Sequence, residues 1–338
     1  MLLKSIVTRA GGHVSLHPKK AKELGLVNDH EGILNHITEQ DRLDDTRSRI
    51  RDVVNGGLIH STHLKDICPR QISLLRFTKT EFIHTNGYIT TNDRLIWATG
   101  RAYEEHIRTQ FINAVGKKSV AGLFKCVCGY LRGGKNLKGQ DIGELSEKRC
   151  PKCGTTQDNY HELAIPVKEY HSTHGPDLPF YNSNGQTVIV EIKSMKKGDP
   201  DKKDAASFLH ISEPLIPNLK QVFMYHRIGV MSGANMAPYV ILIYAAKAHM
   251  GRKAPYKEFK INVNDPKYKH HYAYNKVLLE KGKVVKAIDE NGKVSPEYDC
   301  GDGFPERICS VPTCTTAKGC QVAGLCFSIG NDYEKKNG

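Results

Sequence analysis

The chain has 338 residues, 39% of them hydrophobic, enough to bury a full core as one large domain with insertions or as two domains. Its 49 Lys and Arg against 36 Asp and Glu leave a net charge of +13, spread along the chain rather than gathered in one tail, which favours a polyanionic partner. No apolar run approaches the roughly 18 to 20 residues that cross a membrane, and no basic-then-apolar leader opens the chain, so a protein of the cytoplasm is expected.

In chain order, residues 1–60 read as a charged helical lead-in that closes with "LDDTRSRIRDVVNGG", a helix ended by Gly. The stretch "STHLKDICPRQISLLRF" is expected to be a helix opened by Ser61 or Thr62 as N-cap and carrying Cys68. "NDRLIWATGRAYEEHIRTQFINAVG" has apolar positions at helical spacing, with Gly116 as its stop. A cysteine-bearing insertion over residues 124–156 follows. After it come "YHELAIPVKEY", the strand "TVIVEIKS", the helix "PNLKQVFMYHRIGVMSG" and the strand "APYVILIYAAK". Helix, strands, helix and strand describe an α/β sheet domain over 61–264, and residues 265–338 form a cysteine-rich C-terminal segment. Neither an internal repeat nor a low-complexity tract is present.

Ten cysteines fall in groups, and a reducing cytosol disfavours structural disulfides, so short cysteine spacings read as metal sites. Cys126 and Cys128, then Cys150 and Cys153, are two close pairs, each followed by Gly, across a Gly-rich charged stretch. That is the pattern of a zinc ribbon, in which two turns aim four thiolates at one tetrahedral Zn2+. Four protein ligands leave no open position, so the ion is structural. Without it the hydrophilic segment has nothing to hold it folded. The neighbouring "LFK", "LRGGK" and "KRCPK" suit a finger that touches phosphates.

"TVIVEIKS" is almost continuously apolar up to Glu191, as in a strand covered on both faces. Glu191 and Lys193, two apart, share one side of it, and Asp177 lies just upstream. An exposed Glu-x-Lys pair is commonly a solvated ion pair, but charges on a covered strand need a reason. Two carboxylates holding one or two divalent ions, with an adjacent lysine, supply what phosphodiester hydrolysis requires: an activated water and neutralisation of the crowded phosphate.

Pro176 and Asp177 followed by Glu191-Ile192-Lys193 resemble the PD-(D/E)XK nuclease superfamily. Gln221 and Tyr225, four apart on one helical face, resemble the Q-x-x-x-Y motif of its RecB-like branch. His106 in "GRAYEEHIR" stands where that branch has a metal-binding His. The spacing from Gly100 is longer than usual in the family, which keeps Glu104 and Glu105 beside His106 as candidates. The "ICPRQISLLRF" around Cys68 and the late cysteines are similar to the iron-sulfur RecB-like nucleases, which include CRISPR-adaptation exonucleases and helicase-nucleases of end resection.

The resemblance implies a restriction-endonuclease-like mixed central sheet flanked by helices. It implies Mg2+ or Mn2+ held by Asp177, Glu191 and His106, water positioned or activated by Lys193, and the lysine or the scissile strand held by Gln221 and Tyr225. It also implies a [4Fe-4S] cluster held by Cys68, Cys314, Cys320 and Cys326, with Cys309 as substitute; thiolates equally suit a second zinc. Cys300 has no assigned role. The expected activity is hydrolysis of DNA, exonucleolytic on single strands or ends, in repair, recombination or phage DNA metabolism of a bacterial or phage-infected cell. "KSMKKGDPDKKD", Arg101 and Arg108 are candidate phosphate contacts. No G-x-x-x-x-G-K-[ST] occurs, so a helicase motor would come from a partner. The competing expectation is a DNA-binding or complex-dependent subunit with a degenerate or partner-activated core.

Overall fold

The computed structural model describes residues 53–80 and 91–329, apart from residues 62, 63, 65, 66, 144, 146, 147, 202, 203, 248–254 and 319. The expected lead-in over residues 1–60 lies outside the described residues except at its end, where residues 53 and 54 are helical and Gly56 turns the chain at φ +89°. Contacts divide the chain into residues 1–47 with 87–95, and residues 48–86 with 96–338. The second unit holds all three sheets.

The elements run β1 (Ile59–His60), α1 (Pro69–Phe77), α2 (Thr91–Val115), β2 (Gly122–Cys126), β3 (Leu131–Lys135), β4 (Asp158–His161), β5 (Ile165–Val167), β6 (Ser172–His174), β7 (Leu178–Tyr181) and β8 (Thr187–Met195). They continue with α3 (Ile216–Met231), β9 (Tyr239–Ala246), β10 (Tyr256–Asn262), α4 (Lys269–Lys286) and the short α5 (Thr315–Lys318). This is a mixed α/β architecture.

Two of the expected helices begin and end where local chemistry dictates. Helix α2 stops at Gly116, which takes φ +83°. Helix α1 differs from expectation: it starts at Pro69, not at Ser61 or Thr62. A residue before proline is pushed out of the α region, so Cys68 is extended at φ −106° and ψ 113°, and Pro69 takes the first helical position, where a missing N–H costs nothing. Cys68 therefore precedes the helix rather than riding on it.

The central sheet has the order β10-β9-β8-β7. β7 and β8 are antiparallel, β8 and β9 parallel, and β9 and β10 antiparallel. Parallel neighbours cannot be joined by a hairpin, and α3 makes the crossover. Strand β8 is buried along nearly its whole length, as its apolar run requires. On one side Ile189, Val240, Leu242 and Tyr244 pack against Leu219, Val222 and Phe223 of α3. On the other, Val190 and Ile192 share a core with Ile107, Phe111 and Ile112 of α2.

A second layer forms where Met224 and Ile228 of α3 meet Leu278 and Leu279 of α4 and Ile72 of α1. The opposite side of α1, through Leu74 and Leu75, buries Phe304, Val322 and Cys326 of the C-terminal segment. Helix α1 thus joins the start of the second unit to its end.

The insertion folds as a separate antiparallel sheet, order β3-β2-β4. Its closing strand β4 lies beyond residue 156, so the folded unit is wider than the cysteine spacing suggested. It is docked rather than dangling: Ala121 N–H donates to the Pro179 carbonyl at 2.9 Å and Thr187 Oγ1 to the Leu137 carbonyl at 2.7 Å. A third small sheet pairs β1, β6 and β5.

Candidate active site and metal centres

The register Leu178↔Val190 brings Asp177, one residue before β7, alongside Glu191 of β8. Asp177 is buried, and its Oδ2 accepts the Ile192 N–H at 2.7 Å. Glu191 is 0% exposed; Lys193 Nζ pairs with its Oε1, while its Oε2 has no hydrogen-bond partner among the described residues. Burial pushes the Glu191 carboxyl well above its ordinary value and the Asp177 charge adds to this, with Lys193 opposing. Burial disfavours the Lys193 ammonium, but Glu191 and Asp177 outweigh it and raise the amine's pKa. A wholly buried carboxylate with an unused oxygen is expensive unless a cation meets it.

Helix α2 contributes a third acid. Gly100 lets the helix approach β8 closely, since a Cβ there would stand 3.0 Å from Ser194 Oγ. Four residues on, Glu104 is half-buried and hydrogen-bonds Asp177; burial first, then the Asp177 charge and that hydrogen bond, push its carboxyl up to about 8. His106, assigned to the metal by resemblance, is exposed, as is Glu105. Helical residues two positions apart are about 200° apart around the axis, so Glu104 and His106 cannot both face Asp177. Of the three candidates in this stretch, the structure brings only Glu104 to the acids.

Glu162, directly after β4, is a further acid that sequence reasoning missed. Its Oε1 receives Arg108 Nη2 at 2.9 Å. Burial and the Asp177 charge raise its carboxyl. No spacing signals it, because the whole cysteine insertion separates it from α2. Arg108, expected to meet phosphate, is engaged here, whereas Arg101 is exposed.

The α3 face of the site carries Gln221 and Tyr225. Gln221 Nε2 donates to the Tyr225 hydroxyl at 2.9 Å, and Ser61 Oγ lies 3.3 Å from that oxygen. Tyr225 is buried, and burial together with the charges of Glu191 and Asp177 raises its phenol. His174 of β6 stands edge-on to the Tyr225 ring, with centroids 6.4 Å apart. Its Nε2 is bonded to Ser172 Oγ at 2.9 Å and its buried Nδ1 has no hydrogen-bond partner among the described residues. Burial, then His60, holds its pKa at about 3, so the ring is neutral. Sequence reading did not single out this histidine.

In the insertion, the ligand atoms of Cys126, Cys128, Cys150 and Cys153 all lie within 4.8 Å of one another. Cys126 and Cys153 sulfurs are 3.2 Å apart, and those of Cys128 and Cys150 3.7 Å. Thiolates about 2.3 Å from one tetrahedral ion stand about 3.8 Å apart, so the quartet fits a single metal ion. Each pair sits in a tight turn closed by a glycine at positive φ, Gly129 at 86° and Gly154 at 73°. Burial pushes the Cys126 thiol up to about 12; Cys150, against the same penalty, is brought down to about 7 by the N–H groups of Lys152 and Cys153. Arg132 is buried and spent on this frame, donating to the Thr156 carbonyl at 2.8 Å and to that of Lys148. Lys135 pairs with Asp141 at 2.8 Å. Neither is a free phosphate contact, contrary to expectation. In the stretch after β8, Lys196 is paired with Asp204.

The other cysteines converge from far apart in sequence. Cys68, Cys309, Cys320 and Cys326 line one small cavity, together with Arg307 and Phe327. Burial, with charge from neighbouring thiols, raises the thiols of Cys68, Cys309 and Cys320, that of Cys309 to about 12. Cys314 stands beside Cys309 and accepts the Ala317 N–H at 3.3 Å, but is not part of the lining. Cys309, the expected substitute, is thus in the lining, with Cys314 next to it. Among the described residues, no three of these sulfurs share the tight mutual spacing of the insertion's quartet. Cys300 lies apart, against Arg70 and Asp302.

No helix among the described residues is long and apolar enough to cross a membrane. No protein-family model matches the chain. No curated protein matches it. A solved structure titled "Crystal structure of SSO0001" aligns over 75% of this chain and 87% of its own, at 15% identity and a TM-score of 0.30.

Proposed function

We propose that the chain is a metal-dependent DNA nuclease of the PD-(D/E)XK type with a restriction-endonuclease-like core, acting on single-stranded DNA or DNA ends in the cytoplasm, in repair, recombination or phage DNA metabolism. The observation that carries this reading is Glu191: a fully buried carboxylate with an unpartnered oxygen, flanked by Asp177 and Glu104 and paired with Lys193. A chain that only binds DNA has no use for such a group, because Lys193 meets one oxygen and the other stays buried without a partner among the described residues, at a cost to the fold. The raised carboxyls of Glu191 and Glu104 mark acids held together at an energetic cost, a common property of functional sites.

Asp177, Glu191 and Glu104 are the residues that would hold Mg2+ or Mn2+, with Glu104 in place of His106. A divalent ion there supplies positive charge against the phosphate and acidifies a bound water. Lys193 keeps its proton, so its ammonium orients the attacking oxygen and meets the charge that develops on the phosphate. Tyr225, fixed by Gln221 and Ser61, walls the site on the α3 side and keeps Lys193 turned toward Glu191. The +13 net charge supplies long-range attraction for the polyanion. The four-cysteine site of the insertion is read as structural zinc. The small cavity lined by the more widely spaced Cys68, Cys309, Cys320 and Cys326 is read as a [4Fe-4S] site. Any helicase motor belongs to a partner protein.

The test is digestion of end-labelled single-stranded DNA with Mn2+. Glu191→Gln and Lys193→Ala should each abolish cleavage, and Glu104→Gln should cost far more than His106→Ala, while DNA affinity is largely retained. Turnover by Glu191→Gln at the wild-type rate would remove the hydrolytic assignment. An unmodified, metal-loaded chain that binds DNA without cutting any form of it would favour the complex-dependent reading.

A further inference from the structure

Trp97 is the chain's sole tryptophan, and it is 49% exposed, next to Ile96 at 46%. It lies on α2 seven residues before Glu104. Seven residues are two helical turns, about 10.5 Å along the axis and about 20° from exact alignment, so Trp97 lies on the face of α2 that carries Glu104. Between the two, at Gly100, the helix meets the ends of β8 and β9. A Cβ on Gly100 would stand 3.0 Å from Ser194 Oγ and 3.9 Å from Lys247 Nζ. Lys247 follows β9 directly, is held by its N–H on the Met195 carbonyl at 2.9 Å, and donates through Nζ to the Ile96 carbonyl at 3.3 Å. One helix face therefore presents, in order from the acids outward, Glu104, the close approach with the Lys247 ammonium beside it, and an exposed indole. The exposed Arg101 lies on the same turns.

An exposed aromatic ring and a cation within one helical turn of it, a short distance from the proposed phosphate-cleaving centre, suit single-stranded nucleic acid: the ring stacks on a base and the cation takes a phosphate. Base faces inside a duplex are covered by their neighbours, so the ring discriminates for an unpaired strand. At about 3.4 Å per stacked nucleotide, 10.5 Å spans about three nucleotides.

We propose that Trp97 is a stacking platform for an unpaired base about three nucleotides from the scissile phosphate of single-stranded DNA, with Lys247 holding a phosphate between them. The proposal rests on the hydrolytic reading for the identity of the strand, but its readout does not. Because the chain has one tryptophan, its emission reports this residue alone. Titration of the full chain with a short oligothymidylate, without added divalent ion so that nothing is cut, should quench the emission to saturation; a blunt duplex of equal length should quench it far less. By anisotropy of a labelled oligothymidylate, Trp97→Ala should bind about 5- to 100-fold more weakly, and Trp97→Phe, which keeps a ring, should recover most of the loss. Lys247→Ala should lower the salt dependence of binding by about one phosphate's worth.

Unchanged emission together with unchanged affinity in Trp97→Ala overturns the platform, whatever the cleavage assays give. Equal quenching by duplex and single strand overturns the selectivity. Quenching and weakened Trp97→Ala binding in a chain that never cuts leave the platform standing and remove only the hydrolysis.

Discussion

Cys126, Cys128, Cys150 and Cys153 come from two tight turns of one small sheet, whereas Cys68 and the cysteines at 309, 320 and 326 meet only because α1 packs against the C-terminal segment. The first group is built locally: its turns close through Gly129 N–H to the Cys126 carbonyl and Gly154 N–H to the Cys150 carbonyl, each at 2.8 Å. A metal ion there can organise its own segment with little help from the rest of the fold. The second group meets where Leu74 and Leu75 bury Phe304, Val322 and Cys326, and the cofactor proposed there would remove chain entropy across most of the protein. One group belongs to a single local fold, and the other joins segments far apart in sequence.

The largest effect is expected at the local site. Replacing Cys126 and Cys150 together by serine should remove one metal per chain by elemental analysis and unfold β2–β4. Phe124 of β2 is buried in the α2 core, so the domain should lose several kcal/mol and aggregate on heating. A double variant with wild-type thermal stability would show that the insertion does not depend on its ion. Next comes Arg70, which is buried beside Cys68 and pairs with Asp302 while donating to the Pro305 carbonyl at 2.9 Å. Arg70→Met should cost about 1 to 3 kcal/mol in denaturant unfolding, because the half-buried Asp302 loses its cation and the buried Pro305 carbonyl its donor. A cost under 1 kcal/mol would mean that the C-terminal segment is not fastened there.

Smaller effects sharpen the second site. Serine at Cys309 should strip the bound metal, while serine at Cys314 should leave metal content near wild type; the reverse result would restore the pattern suggested by sequence spacing. The last effect is confined to acid pH and lies away from both sites, at His174. Its folded pKa, about 3, is below the ordinary 6.5, so its contribution to stability is fully present above pH 6.5 and is lost as pH falls from there toward 3. Acid unfolding of His174→Gln should be correspondingly flatter over that interval. Identical pH profiles for the two chains would mean that the ring is hydrated or partnered in solution.

Much of this organisation is legible in the chain. The extent of α2 with its stop at Gly116, the covered strand β8, α3 and β9 follow from hydrophobic period and glycine position, which act over a few residues. The four-cysteine turns were legible for the same reason. The start of α1 was misplaced because the restriction that Pro69 places on Cys68 outweighs the capping potential of Ser61, whose hydroxyl lies near Tyr225 instead. Strand β10 and helix α4 were not anticipated. β10 is an edge strand with alternating exposure, and α4 has a mixed Lys-rich surface, so neither offers a long apolar signal.

Within the site, the sequence by itself determined the pairing of Glu191 with Lys193 on one strand face, Gln221 with Tyr225 on one helix face, and the four close cysteines, because each is set by the repeat of a single element or turn. Only the tertiary structure decided that Glu104 rather than His106 meets Asp177, that Glu162 arrives from beyond the insertion, that His174 sits against Tyr225, and that Cys309 rather than Cys314 lines the second cysteine cavity. Those choices depend on how far a helix is rotated and which segments pack together, quantities fixed by side-chain contacts distant in sequence and invisible to local spacing.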